Sequence, residues 1–124
     1  MATVLVVEDN PANMKLTSLL LGHAGHTVLP ALDAETGLRI ARTERPDLIL
    51  MDIQLPGMDG LTATTLLKGD PATAGIPVVA LSALAMKTDE ERSQAAGCDA
   101  YLVKPLRYQE LYDVIALLVP GPSS

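Results

Sequence analysis

Four residues, Leu48-Ile49-Leu50-Met51, are apolar without interruption and run straight into the carboxylate of Asp52. A strand with one wet face alternates apolar and polar side chains. One that is apolar at every step is covered on both faces, as strands are in parallel sheets flanked by helices. The residues that follow, Leu55-Pro56-Gly57-Met58-Asp59-Gly60, force a loop at the carboxyl end of that strand. In open parallel sheets this edge is where ligands bind. A carboxylate placed there is a candidate for chemistry, against the plainer reading of an acidic residue that ends a strand.

The rest of the chain repeats the same unit. Thr3 to Val7 is a β-branched run of strand length that ends at Glu8-Asp9. Asn10 is placed to cap a helix and Pro11 to begin it; the helix runs to Ala24 and Gly25 stops it. Met14, Leu16, Leu19, Leu20 and Leu21 give that helix a broad apolar face. His26 to Pro30 reads as a short second strand, and its proline suits an edge because it cannot donate to a ladder. Asp33 can cap a helix from Ala34 to Thr43, with Leu38, Ile40 and Ala41 as its apolar part and Pro46 as its limit. A third helix opens at Asp59 or Gly60 and continues to about Lys68. Val78 to Ser82 is a further buried strand, and the polar stretch Lys87 to Gln94 is a helix with a solvated face that Gly97 stops. Ala100 to Lys104 is the fifth strand. The last helix begins at Leu106 and carries Leu111, Val114, Ile115 and Leu118 at helical spacing. Residues 1–119 are expected to form the folded unit, and 120–124 a flexible tail.

Composition narrows the function. A length of 124 residues and a 48% hydrophobic content suit one domain with one sizeable core. The chain has no Phe or Trp and only three Tyr, so base stacking has little to work with, and a net charge of −6 argues against a phosphate-backbone partner. No apolar run approaches the roughly 18 residues of a membrane span, and the acidic pair Glu8-Asp9 stands where a signal peptide would carry its apolar core. A cytoplasmic protein with no membrane or nucleic-acid partner is expected. The single Cys98, in an Ala-Ala-Gly-Cys-Asp-Ala setting, reads as a small buried hydrophobe. His23 and His26 flank a helix stop; solvent exposure or a favourable helix-end charge outweighs a metal pair there.

Strict alternation of five strands and five helices implies right-handed crossovers and a doubly wound parallel sheet, so all strand carboxyl ends share one edge. Glu8 and Asp9 follow the first strand, Asp52 ends the third, Ser82 the fourth and Lys104 the fifth. If the first and third strands are neighbours, three carboxylates meet at the switch point, where repulsion raises a pKa unless a cation intervenes. Oxygen ligands select a hard ion. Mg²⁺, which takes six oxygens at about 2.0–2.1 Å, suits carboxylates, a loop carbonyl and a phosphate. Lys104 adds positive charge and Ser82 a hydroxyl, and the chemistry suggested is phosphoryl transfer.

At this point the chain resembles the receiver domain of two-component response regulators, over essentially its whole length. The resemblance rests on Val6-Val7-Glu8-Asp9-Asn10, Asp47 to Asp52 with Leu55-Pro56-Gly57-Met58-Asp59-Gly60 behind it, Ala80-Leu81-Ser82-Ala83, and Ala96 to Pro105 through Tyr101 and Lys104. Within that family it is most similar to the stand-alone cell-division regulators of the DivK type, at Asn13-Met14-Lys15-Leu16, Met51 to Pro56 and Ala85 to Arg92. The resemblance implies a flavodoxin-like α/β sheet of order 2-1-3-4-5. It implies that Asp52 accepts a phosphoryl group from a histidine kinase or a histidine phosphotransfer protein. Asp9, Asp52 and the backbone carbonyl of Gln54 would hold Mg²⁺ (or Mn²⁺) directly, with Glu8 acting through water. Lys104 would pair with a phosphate oxygen, Ser82 and Tyr101 would switch, and Lys104-Pro105 would be a cis peptide. The product would be a phosphorelay protein and not an enzyme in the ordinary sense: it assists its own phosphorylation and dephosphorylation. It would contact a downstream protein through its fourth helix, fifth strand and fifth helix, as a monomer or weak dimer.

Other readings fit the residues less well. A phosphatase that forms an aspartyl phosphate would want an acid/base Asp two residues after the nucleophile, and Gln54 stands there. Glu8-Asp9 would repel the phosphate of a flavin. A pseudo-receiver that signals without phosphorylation has nothing in its favour, because every family site position is filled. Gln54 and Leu84 flank the path of a hydrolytic water, and Leu84 offers it no polar atom, so a long-lived phosphoryl state is expected.

Overall fold

The computed structural model describes residues 2–83 and 86–119. Leu84, Ala85 and the expected tail at 120–124 lie outside the described residues. The elements alternate as β1 (Thr3–Val7), α1 (Pro11–His23), β2 (Thr27–Ala31), α2 (Ala34–Glu44), β3 (Leu48–Asp52), α3 (Gly60–Gly69), β4 (Val78–Ser82), α4 (Lys87–Ala96), β5 (Ala100–Val103) and α5 (Tyr108–Leu118). The five strands form one parallel sheet in the order β2-β1-β3-β4-β5. β1 and β3 are therefore neighbours, and the switch point lies between their carboxyl ends.

The uninterrupted apolar runs are buried as their pattern requires. β3 and β4 are buried at every position. Alternate side chains of each strand serve opposite layers. Val4, Val6, Leu48, Leu50, Val79 and Leu81 pack with Met14 and Leu21 of α1 and with Leu111 and Ile115 of α5. Leu5, Val7, Ile49, Met51 and Val78 pack with Leu38 and Ala41 of α2 and with Ala63 and Leu67 of α3. Pro30 lies exposed on the edge strand β2.

The helix caps are those the sequence offers. Asn10 Oδ1 accepts from the backbone N–H of Ala12 and Asn13, Asp33 Oδ1 from Thr36, and Asp59 Oδ1 from Thr62. Gly97 ends α4 in the left-handed region at φ 104°. Arg45 ends α2 there as well, at φ 46°, a conformation that L side chains adopt at a cost.

Three expectations shift. The apolar face of α1 is narrower than its leucines suggest: Met14, Thr17 and Leu21 are buried, whereas Leu16 and Leu19 are 41% and 62% exposed. Positions 14, 17 and 21 follow the helical period, and 16 and 19 fall outside that stripe. β2 lies one residue later than expected, Thr27–Ala31, because it keeps register with β1 from Thr3↔Thr27 to Val7↔Ala31. α5 begins at Tyr108 and not at Leu106, since residues 104–107 first carry the chain off the sheet edge.

Candidate functional site

Each strand that reaches the switch point delivers its carboxylate by a local rule. Asp52 is the last residue of β3, in register with Leu81 of β4, and is buried. Beyond it the chain turns at once, and the Gln54 N–H donates to Asp52 Oδ1 at 2.8 Å. Glu8 follows β1, is 1% exposed, and its Oε2 accepts from the Asn10 N–H at 3.2 Å. Asp9 is exposed beside it. One carboxylate oxygen from each of Glu8, Asp9 and Asp52 lies within 4.8 Å of the others.

Lys104 closes the arrangement from two strands away. Its backbone N–H donates to the Ser82 carbonyl at 2.7 Å, which fixes the chain as it leaves β5. Its ammonium then donates to Glu8 Oε1 at 2.8 Å and to Asp52 Oδ2 at 2.9 Å, in a pocket where the three side chains are 14%, 2% and 3% exposed. The next peptide, Lys104–Pro105, is cis. Ser82 is buried at the end of β4, and Tyr101 is half-buried on β5 opposite Ala80.

The electrostatics reveal a deficit of positive charge. Burial pushes Glu8 above its ordinary carboxylate value; the Lys104 hydrogen bond opposes the shift, while the neighbouring Asp52 reinforces it. Burial alone would lower the Lys104 ammonium, but the hydrogen bonds to Glu8 and Asp52 outweigh it and hold the group above its ordinary value. Both groups stand above their ordinary values, Glu8 chiefly because it is buried and Lys104 because it donates to Glu8 and Asp52, and that one ammonium is shared by two buried carboxylates with the Asp9 carboxylate beside them. A hard divalent cation would balance that set, and carboxylate oxygens are the donors such a cation takes. The residues present therefore fit Mg²⁺ by charge and by donor chemistry.

Of the other candidates, the two histidines do not come together as a metal pair. His23 is exposed, whereas His26 Nδ1 accepts from the Ala2 N–H at 3.0 Å. Cys98 is half-buried, its Sγ 3.8 Å from Thr64 Oγ1, and burial pushes its thiol above its ordinary value, away from the reactive thiolate. One residue of the site was given no role there by the sequence: Gly60, whose Cα lies against the Asp52 peptide. It stands in the motif behind Asp52, where the Asp59-Gly60 pair reads as a turn and a helix start.

Two buried carboxylates and an exposed third with one lysine, at the switch point of a 2-1-3-4-5 sheet, define a receiver-type signalling domain. The response regulator receiver domain model matches residues 4–116, and the chain belongs to that family. It is 45% identical over 113 residues to the polar-differentiation response regulator DivK of Brucella anthropi, an alignment that covers 91% of this chain and 92% of the relative. The DivK of Brucella ovis is 44% identical over the same length. Among solved structures, the receiver domain of a sensor histidine kinase from Pseudomonas aeruginosa, which has a magnesium ion coordinated in its active site cleft, superposes with a TM-score of 0.90 at 33% identity. The match covers 97% of this chain and 98% of that one. The chemotaxis protein CheY4 of Vibrio cholerae gives 0.90 at 26% identity, covering 96% and 99%. The chain is thus a DivK-type receiver domain of two-component signalling, a class that works with histidine kinases and downstream targets. No described helix is long and apolar enough to cross a membrane.

Proposed function

We propose that Asp52 accepts a phosphoryl group from the phosphohistidine of a kinase or phosphotransfer protein, and that the modification switches protein contacts. The observation that carries this reading is the Lys104 ammonium held between Glu8 Oε1 and Asp52 Oδ2, with Asp9 beside them. A carboxylate oxygen of Asp52 attacks phosphorus as the P–N bond of the phosphohistidine, protonated on its other ring nitrogen, breaks, giving an acyl phosphate and a neutral imidazole. The Gln54 N–H and the Lys104 ammonium hold the Asp52 carboxylate for in-line approach. Asp9, Asp52 and the Gln54 carbonyl would hold Mg²⁺, with Glu8 acting through water. The ion supplies positive charge against the phosphoryl oxygens. Lys104 then exchanges its carboxylate partner for a phosphoryl oxygen.

A small crevice lined by Asn13, Leu16 and Thr17 of α1 and by Pro105 and Leu106 opens beside Glu8 and Lys104. The readout follows from a population shift between two arrangements. The Ser82 hydroxyl turns toward the phosphoryl group and the Tyr101 ring turns inward, which changes the face made by α4, β5 and α5. Tyr108 and Leu117, 60% and 79% exposed on α5, are available there to a downstream protein. Residues 1–119 form the receiver unit on this reading, acting in the cytoplasm as a single-domain regulator, and the same site supports slow loss of its own phosphate.

Transfer from a phosphorylated histidine phosphotransfer protein tests the proposal. Label is expected to move to this chain in Mg²⁺, and to fail with Asp52→Asn or in EDTA. Equal labelling of Asp52→Asn refutes it.

A further inference from the structure

We propose that Gly60 is a positioning residue for the Asp52 chemistry: its bare Cα lets the first turn of α3 seat against the Asp52–Ile53 peptide, and that seating sets where Asp52 and Gln54 stand relative to Glu8, Asp9 and Lys104. A Cβ built at Gly60 would lie 2.1 Å from the Asp52 carbonyl oxygen, 2.8 Å from the Ile53 Cα and 2.9 Å from the Asp52 carbonyl carbon. All three are backbone atoms, so no side chain can swing aside to make room. Gly60 is buried and its φ lies outside the left-handed region, so close approach is the demand met here, not backbone freedom.

Other contacts hold the turn in place. Thr64, fully buried one turn along α3, donates its hydroxyl to the Gly60 carbonyl at 2.8 Å. Asp59 caps the helix at Thr62, and the Ala63 N–H donates to the Asp59 carbonyl at 3.1 Å. Leu61, Ile53 and Ala80 close over the junction as a small apolar cluster. The end of β3 therefore rests on a fixed floor: Asp52 and Ile53 lie directly on it, and Gln54 follows as the next residue, its N–H bonded to Asp52 Oδ1. Elsewhere on α3, Ala63 and Leu67 pack into the core with Ile49, Ile76 and Val78.

The inference rests on the proposed Mg²⁺ and Asp52 reading, so the wild-type chain is the first arm of its test. Mg²⁺ affinity is measured by calorimetry, with the backbone amide resonance of Gln54 as a second readout and thermal unfolding without metal as a third. Wild-type protein that binds no Mg²⁺ overturns the functional reading itself. Given wild-type binding, Gly60→Ala is expected to bind Mg²⁺ about tenfold or more weakly, as for a lost support of a metal ligand. The Gln54 amide is expected to shift in the metal-free protein. Leu67→Ala, which removes a buried side chain from the same helix, lowers the unfolding temperature and leaves Mg²⁺ affinity unchanged. If Gly60→Ala does not fold, the Thr64 pair decides: Thr64→Val is expected to weaken Mg²⁺ on the order of threefold, and Thr64→Ser to restore it by keeping the hydroxyl. Wild-type Mg²⁺ affinity in Gly60→Ala, or in Thr64→Val where only that variant folds, overturns the inference.

Discussion

Replacing Lys104 by methionine removes the ammonium but keeps most of the apolar stem. The residues left behind are two carboxylates, 2% and 3% exposed, that each lose a charge-assisted hydrogen bond of 2.8–2.9 Å. Breaking a buried ion pair by deleting one partner costs about 3–5 kcal/mol, because the remaining charge stays in a poor solvent. The ammonium here is 14% exposed, so water can reach part of the vacated space, and the lower end, about 3 kcal/mol, applies. For a chain of this size that corresponds to a fall of roughly 10 °C in unfolding temperature. The cost has a definite pH sign. Lys104 has a raised folded-state value, so the stability it lends is complete at neutral pH and disappears only as pH rises through that value. In the variant, Glu8 is pushed still further above its ordinary value of 4.5, so the penalty grows as pH rises from that range and is relieved on acidification. Urea unfolding followed by circular dichroism at pH 5 and pH 7.5 measures both. A loss under about 1 kcal/mol at pH 7.5, or an equal loss at both pH values, refutes the charge-deficit argument.

Three further outcomes are expected. Saturating Mg²⁺, at about 100 times its Kd, stabilises the wild-type fold by about 2.7 kcal/mol, and EDTA abolishes the gain; a melting temperature indifferent to both contradicts the cation site. His26 is held below its ordinary 6.5, chiefly by burial and also by the amino-terminal charge, while its Nδ1 accepts from Ala2. The stability it lends is complete above that value and is lost as pH falls through the folded-state value, so His26→Leu flattens that part of a stability–pH curve. Arg45→Gly relieves the left-handed C-cap of α2 and raises stability by about 0.5–1 kcal/mol in urea titration.

The sheet was legible because β1, β3 and β4 carry nearly continuous apolar runs and three of its helices carry explicit start signals. Asn10, Asp33 and Asp59 each cap the helix that the sequence assigns them. Element ends were less legible: β2 slides by one residue to keep register with β1, and register depends on a partner strand that local sequence does not contain. The exposure of Leu16 and Leu19 was hidden for a similar reason, since five apolar residues on one helix do not say which stripe meets the sheet. The convergence of Glu8, Asp9 and Asp52 followed once β1 and β3 are neighbours, an order that the family resemblance implied and the βα alternation by itself left open. The bridge that Lys104 makes across β4 did not, because it depends on side-chain reach. Gly60 was illegible as a site residue, because its contact is made by an atom it lacks.

The central claim is that Asp52 is the phosphoacceptor, and reductive trapping tests it most directly. The wild-type protein is treated with acetyl phosphate in Mg²⁺ and then with borohydride, which converts an aspartyl phosphate to homoserine, and the peptides are read by mass spectrometry. Homoserine at position 52 alone, absent when EDTA precedes the phosphodonor, is the expected result. Homoserine at another aspartate, or unmodified Asp52 under conditions that phosphorylate a known receiver, contradicts the account.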